Sequence, residues 1–343
     1  MDARVEPGHD SLDFGKIEMS DANNEQAEAS APVALAEIEA AAERIRGAVR
    51  RTPNLAAEPL KDSLPLGELV LKLECLQVTG SFKARGASNT LFSLPEDEVR
   101  RGIITASGGN HGLAVAYAGW RAGTRAVIYL PASTPAAKAE KLEAWGAEVV
   151  VEGAVWDDAQ EAALKAAEAE GLTYIHPFAD PRIIAGQGTV GIEILEDDPG
   201  LDYLFVAIGG GGLISGVATA VKALKPSITV IGVEPLGAPT LKQSLAAGEL
   251  VTLPEIATAA GTLAPRRSAE INLEIIGRRV DEIVLVSDEE MRAAARALWF
   301  ELGIAAELSG AAALAAIQQG RFALPEDARV GALVCGAGSD GIA

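Results

Sequence analysis

A chain of 343 residues with 49% hydrophobic residues can bury a substantial core and is long enough for two lobes. Its formal net charge of -19, with Lys and Arg nowhere concentrated, excludes a phosphate-tracking nucleic-acid surface and an anionic-membrane surface. The only cysteines, Cys75 and Cys335, sit in apolar runs, which argues against a disulfide framework and for a reducing, cytoplasmic setting, and neither a signal-peptide pattern nor an apolar run of about 18 residues marks export or membrane insertion.

Residues 1–32 are polar, acidic and non-periodic, so they offer too little apolar surface to offset ordering entropy, and a disordered arm is predicted. From Val33 the pattern turns amphipathic, with apolar residues at helical spacing through ALAEIEAAAERIRGAV up to Thr52-Pro53. An apolar, strand-like run, Leu69 to Glu74, then precedes TGSFKARG, residues 79–86. Beyond it, β-rich runs are predicted at 102–106, 126–130, 148–151, 204–208, 229–233, 282–286 and 330–334. Helical segments lie between them. In one, Thr134 and Pro135 read as N-cap and first helical residue of a helix running to Trp145. Another spans 157–170 and stops at Gly171. A third opens at Ser287 with a Ser-Asp-Glu-Glu capping box and runs to Leu302. Continuous apolar strands alternating with helices define an α/β class with parallel sheets covered on both faces, a three-layer α/β/α arrangement.

Glycine-rich stations follow three of these strands. Ser107-Gly108-Gly109-Asn110-His111-Gly112 opens a helix whose free N–H groups suit an anion such as a carboxylate, although a tight turn without a ligand has the same pattern. Gly209, Gly210, Gly211 and Gly212 lie between a buried strand and a helix. Such a run is entropically costly, and a phosphate cradle of backbone N–H groups accounts for it better than a plain turn does. It matches neither GxxxxGK[ST] nor GxGxxG. The last station begins at Cys335, a position where a thiol is more often small apolar packing than chemistry. In open α/β sheets ligands gather at the carboxyl ends of strands, where all three stations fall.

The three histidines, His9, His111 and His176, form no metal-ligand spacing, and no GxSxG elbow is present. Lys83 as an amine, a phosphate cradle and a small polar atom at Cys335 together describe a site for pyridoxal phosphate. These motifs, with His176-Pro177 and the segment Ile184 to Thr189, resemble the serine/threonine dehydratase and serine racemase family, of the tryptophan-synthase-β-like fold of pyridoxal phosphate enzymes. The similarity covers roughly residues 35–343. It implies a large cofactor domain (33–101 and 180–343) and a small mobile domain (102–179) that closes over an amino-acid substrate, in a homodimer joined through the large domain.

Residue by residue, the resemblance makes Lys83 the lysine joined to the cofactor aldehyde and Phe82 the side chain packed on its ring. Asn110 would bond its phenolic oxygen, Gly209 to Gly212 with Leu213 would hold its phosphate, and Cys335 would face its ring nitrogen. Ser107, Gly108, Asn110 and His111 would line the substrate carboxylate site. A neutral thiol cannot keep the ring nitrogen protonated as an aspartate would, which favours β-elimination, with Lys83 taking the α-proton and a 2-oxo acid and ammonia as products.

The sequence also departs from the family. Gly108 stands where the racemases carry a serine that acts as second base, so dehydration is the leading expectation and racemisation the alternative. At the racemase cation site Glu234 and Ala238 match, but Thr240 replaces a carboxylate, which weakens a site for a hard cation. Ala260 replaces a common aspartate in a loop that carries Arg266 and Arg267. These read as a solvated pair or, if one turns inward, as a clamp for the second carboxylate of a 3-hydroxyaspartate. Glu307 lies in a segment with leucine in place of proline, and its role stays open. With no C-terminal effector domain after Ala343, a catabolic enzyme without feedback control is expected.

Overall fold

The computed structural model describes residues 32–57, 60, 61, 64 and 66–342. The arm expected over residues 1–32 thus lies outside the described residues apart from Pro32.

The apolar runs form two sheets. The larger contains Asn54–Ala56 (β1), Glu68–Lys72 (β2), Tyr203–Ala207 (β7), Thr229–Pro235 (β8), Glu282–Val286 (β9) and Arg329–Leu333 (β10), in the order β1-β2-β10-β7-β8-β9. The smaller contains Ile103–Ala106 (β3), Ala126–Leu130 (β4), Glu148–Val151 (β5) and Thr173–Tyr174 (β6), in the order β5-β4-β3-β6. All neighbours are parallel except β1 and β2. Every strand of the smaller sheet falls within 103–174 and every strand of the larger outside it. The doubly covered parallel sheets agree with the predicted α/β class.

Burial on both faces explains why these strands lack polar alternation. Phe205, Val230, Ile231 and Val330 are fully buried and share one core with Leu69 and Leu71. The Leu308–Gln318 helix carries this furthest: residues 308–317 are all buried, so its Ala-rich sequence has no polar face to show. Register places the ends of β10, β7 and β2 side by side, with Ala332 paired to Leu71 and Phe205.

Local signals hold at several helix ends. Gly171 closes the Trp156–Glu170 helix at φ 67°. Ser287 Oγ accepts from Glu290 N–H at 3.2 Å while Glu290 Oε2 accepts from Ser287 N–H at 2.8 Å, completing the predicted box. One expectation is corrected. Pro135, not Thr134, occupies the N-cap, with an extended ψ of 138°, and the helix is Ala136–Glu143. Its carbonyl accepts from Lys138 N–H at 2.9 Å, so the proline starts the helix from outside it. No helix among the described residues is long and apolar enough to cross a membrane.

Candidate active site

Between β2 and the Lys83–Phe92 helix, Thr79 and Gly80 take left-handed φ values of 63° and 83°. For a β-branched residue this conformation costs about 1–2 kcal/mol. The segment after β10 holds the turn in place: Phe82 N–H donates to the Cys335 carbonyl at 3.3 Å, and Ala337 N–H to the Gly80 carbonyl at 2.8 Å. Lys83 is thereby set against the third glycine station. Its helix then packs backbone to backbone on the Pro181–Asp197 helix, since a Cβ on Gly186 would lie 2.6 Å from Gly86 Cα.

Two residues on, Arg85 is 1% exposed. Its guanidinium donates to both oxygens of Glu74 (2.8 and 2.7 Å) and both of Glu193 (2.7 and 2.8 Å). Lys72 Nζ completes the cluster on Glu193 (2.8 Å) and the Thr52 carbonyl (2.7 Å). Burial opposes the Arg85 charge, but Glu74 and Glu193 outweigh it and raise its pKa. Lys83 is held differently. Its Nζ donates to the Pro177 carbonyl at 2.6 Å and lies 5.2 Å from the Phe82 ring centre, and it makes no salt bridge among the described residues. Burial pushes its pKa down to about 8, against the pull of Cys335 and Glu307 nearby. An amine so placed is neutral in a good fraction near physiological pH, which a base or nucleophile requires.

The Pro177 connector also reaches the tetraglycine turn. His176 Nδ1 accepts from the N–H groups of Phe178 (3.1 Å) and Ala179 (2.8 Å), and the imidazole is pushed down to about 4 by burial and by Lys83, so it stays neutral. Phe178 then packs on the turn: a Cβ on Gly210 would fall 2.2 Å from its ring, and one on Gly212 2.7 Å from its carbonyl oxygen. On the other side a Cβ on Gly209 would meet the Thr262 carbonyl at 2.7 Å. Packing thus forbids side chains at these three glycines. Gly211 takes φ 94° and caps the Gly212–Leu224 helix, whose first N–H groups, at Gly212, Leu213 and Ile214, have no intrahelical acceptor.

At the end of β3, Ser107 Oγ accepts from Gly109 N–H (3.3 Å) ahead of the Asn110–Ala122 helix. His111 is 4% exposed, with Nε2 on the Ile175 carbonyl at 2.9 Å and Nδ1 buried without a partner among the described residues. Burial and Lys83 push its pKa down to about 3. The proton therefore sits on Nε2, and the group His111 can offer an anion is its backbone N–H. Asn110 Nδ2 donates to Glu307 Oε1 at 2.9 Å. Glu307 also accepts from Ser309 Oγ and, at 3.4 Å, from Thr262 Oγ1. Its side chain fits because Gly336 has none; a Cβ there would lie 2.3 Å from Oε1. Burial raises the Glu307 pKa. Cys335 Sγ donates to the Ser309 carbonyl at 3.4 Å, and burial raises its pKa, leaving a neutral thiol. Contacts thus join Lys83, the connector, the tetraglycine turn, Thr262, Glu307, Asn110, Ser309 and Cys335 into one connected site.

The 45–336 segment matches the family model described as pyridoxal-phosphate dependent enzyme. The chain belongs to that family. It is 40% identical to an L-threonine ammonia-lyase of Thermotoga maritima over 83% of its length and 71% of the relative's. It is 38% identical to a serine racemase of Oryza sativa subsp. indica over 87% and 88%. A solved maize serine racemase superposes with a TM-score of 0.85 at 35% identity, covering 89% of this chain and 94% of that one. The tryptophan-synthase-β-like fold and pyridoxal phosphate dependence expected from the resemblance are thereby established, and the protein is an enzyme of this family. Its residues fit the coenzyme: the site offers a desolvated amine, an aromatic ring beside it, a glycine turn opening a 13-residue helix, and a neutral thiol.

Two side features fall outside this site's chemistry. Glu234 caps a helix, its oxygens accepting from Leu241 N–H (2.8 Å) and Lys242 N–H (2.9 Å). No group of three or more His, Cys, Asp or Glu among the described residues could hold a metal. Arg266 and Arg267 are exposed and donate to the carbonyls of Leu253 and Leu250, both at 2.9 Å, so they form the solvated pair and not the inward clamp. Thr262, Ser268 and Asn272, which bond Glu307 and the Gly210 carbonyl, were missed by sequence reasoning, being single polar residues with no pattern of their own.

Proposed function

We propose that the protein is an ammonia-lyase that converts a β-hydroxy amino acid, L-threonine or L-serine before a 3-hydroxyaspartate, to a 2-oxo acid and ammonia. The observation that carries this reading is the pairing of a salt-bridge-free, desolvated Lys83 amine with a neutral Cys335 thiol in one site. Lys83 would hold the coenzyme through its aldehyde, Phe82 would lie beside its ring and Asn110 would bond its phenolic oxygen. Gly209, Gly210, Gly211, Gly212 and Leu213 would hold its phosphate, and Cys335 would face its ring nitrogen. When bound, the coenzyme supplies an electron sink for the bonds at the substrate α-carbon.

The chain's own residues do the rest. Ser107 and the backbone N–H groups of Asn110 and His111 orient the substrate carboxylate at a helix N-terminus, where the dipole favours an anion. Gly108 lines the same turn. Lys83, freed when the substrate amine takes its place and with a pKa that burial lowers to about 8, would take the α-proton from one face; the β-hydroxyl would leave as water, and the released enamine would take up water to give the 2-oxo acid and ammonia. Closure of 102–179 over the substrate excludes water, in a cytoplasmic homodimer.

Racemisation is the second reading, supported by the similarity to serine racemases. It requires a base on the opposite face, and Gly108 carries none. A side chain there would also crowd Thr134 and Leu130, at 3.1 and 3.2 Å from its Cβ. The test is an assay of 2-oxo acid and ammonia over L-threonine, L-serine, both 3-hydroxyaspartates and a β-aryl serine, with chiral chromatography of residual serine. Oxo acid from threonine or serine is expected. D-serine without oxo acid would favour the racemase, and no product from any substrate would end the lyase reading.

A further inference from the structure

The Gly210 carbonyl accepts from a set of donors on the loop and helix that follow the 261–263 turn. Ser268 Oγ donates to it at 2.9 Å and Asn272 Nδ2 at 2.8 Å. Asn272 is fully buried and fixed in turn: its Nδ2 also reaches the Phe178 carbonyl at 3.2 Å, and its Oδ1 accepts from Ser215 Oγ at 3.1 Å. Its side chain thus ties the glycine turn to the connector whose Pro177 carbonyl holds Lys83.

A trans peptide is planar, with its C=O and the following N–H antiparallel. Two hydrogen bonds that draw the Gly210 carbonyl towards these donors therefore aim the Gly211 N–H the opposite way, onto the side where the phosphate would lie. Both residues of this peptide are glycines, so little steric resistance opposes a flip that would turn the carbonyl, an acceptor, towards the anion. We propose that Asn272 and Ser268 are positioning residues that lock the Gly210–Gly211 peptide in its donating orientation and so set the affinity for the coenzyme's phosphate. The inference rests on the phosphate assignment of Gly209–Gly212 given above.

The experiment measures uptake of pyridoxal 5'-phosphate and of pyridoxal, which has the aldehyde but no phosphate, by full-length apoprotein. Wild type is compared with Ser268→Ala, Ser268→Thr and Asn272→Ala, and thermal unfolding checks that each variant is folded. Loss of a buried hydrogen bond to an anion-binding peptide should raise the pyridoxal phosphate dissociation constant about tenfold in Ser268→Ala and more in Asn272→Ala. Pyridoxal binding should be unchanged, and Ser268→Thr should bind like wild type. Ser268→Ala removes one donor at a site 9% exposed, so it remains decisive if Asn272→Ala fails to fold. Equal weakening for both ligands, or no weakening for either, overturns the inference and leaves the phosphate assignment standing. Wild-type protein that prefers pyridoxal phosphate no more than pyridoxal overturns both.

Discussion

Lys83 and Arg85 leave one helix two residues apart, and their surroundings make opposite uses of a buried positive charge. Arg85 meets two carboxylates and a second cation, Lys72, in a cluster whose formal charges cancel. Lys83 meets a carbonyl oxygen and an aromatic ring, with Cys335 and Glu307 nearby but not bonded to it among the described residues. The first setting keeps the charge permanently and fastens the helix to β2 and to the Pro181–Asp197 helix. The second keeps the amine close to losing its proton. Desolvation acts on both: two directly bonded carboxylates outweigh it at Arg85, whereas Cys335 and Glu307, neither bonded to the amine among the described residues, do not outweigh it at Lys83.

Four measurements press on this contrast. The largest effect is expected from Arg85→Met, which strands Glu74 and Glu193 with Lys72 alone. Breaking a buried ion pair from one side costs about 3–5 kcal/mol, read by denaturant unfolding. Unfolding at the wild-type midpoint would mean that the cluster is not a strut.

Glu234 sharpens the contrast from the acid side, as a fully buried carboxylate bonded to backbone N–H groups and not to a cation. Burial pushes its pKa up to about 7 from 4.5. The folded state then holds a proton that the unfolded state has released, so the associated stability is full below about pH 4.5 and is lost as pH rises through about 7. The loss amounts to about 3 kcal/mol by pH 8. Comparison of unfolding at pH 5 and pH 8 should show that slope in wild type and a flatter one in Glu234→Gln. Equal slopes would remove Glu234 as its source.

Gly210→Ala tests the glycine turn packed on the connector that holds Lys83, not the lysine itself. Its Cβ runs into Phe178, so overpacking of about 1–3 kcal/mol and weaker coenzyme uptake should appear together. Wild-type coenzyme affinity in this variant would show that the turn tolerates what its packing forbids. The smallest effect belongs to the exposed pair. Arg266→Ala and Arg267→Ala should each change stability by less than about 0.5 kcal/mol and leave relative turnover of 3-hydroxyaspartate and threonine alone. A selective loss of 3-hydroxyaspartate turnover would restore the inward clamp.

The parts of this contrast that were legible in the sequence share a local cause. Strands buried on both faces must be apolar throughout, so most of the sheet could be read in chain order, and the glycine stations at strand ends pointed to the site. Asn54–Ala56 and Thr173–Tyr174 escaped because three and two residues are too few to display a period. The environment that separates Lys83 from Arg85 was illegible for another reason. Glu193 lies 108 residues from Arg85, Pro177 94 from Lys83, and Glu307 197 from Asn110. Such partners are chosen by topology, and isolated polar residues such as Thr262 or Asn272 carry no pattern of their own. Glu307 was singled out, but two of its three donors, Asn110 and Thr262, emerge only when the segment after β3 and the 261–263 turn are brought to it; the third, Ser309, is its near neighbour in sequence.

The central claim is that the amine at position 83, and no other, takes the coenzyme. Borohydride reduction of the protein loaded with pyridoxal phosphate, followed by peptide mapping, tests it directly. The account predicts a single pyridoxyl-modified peptide containing Lys83 and loss of both label and turnover in Lys83→Ala; label on another lysine, or full turnover in that variant, would contradict it.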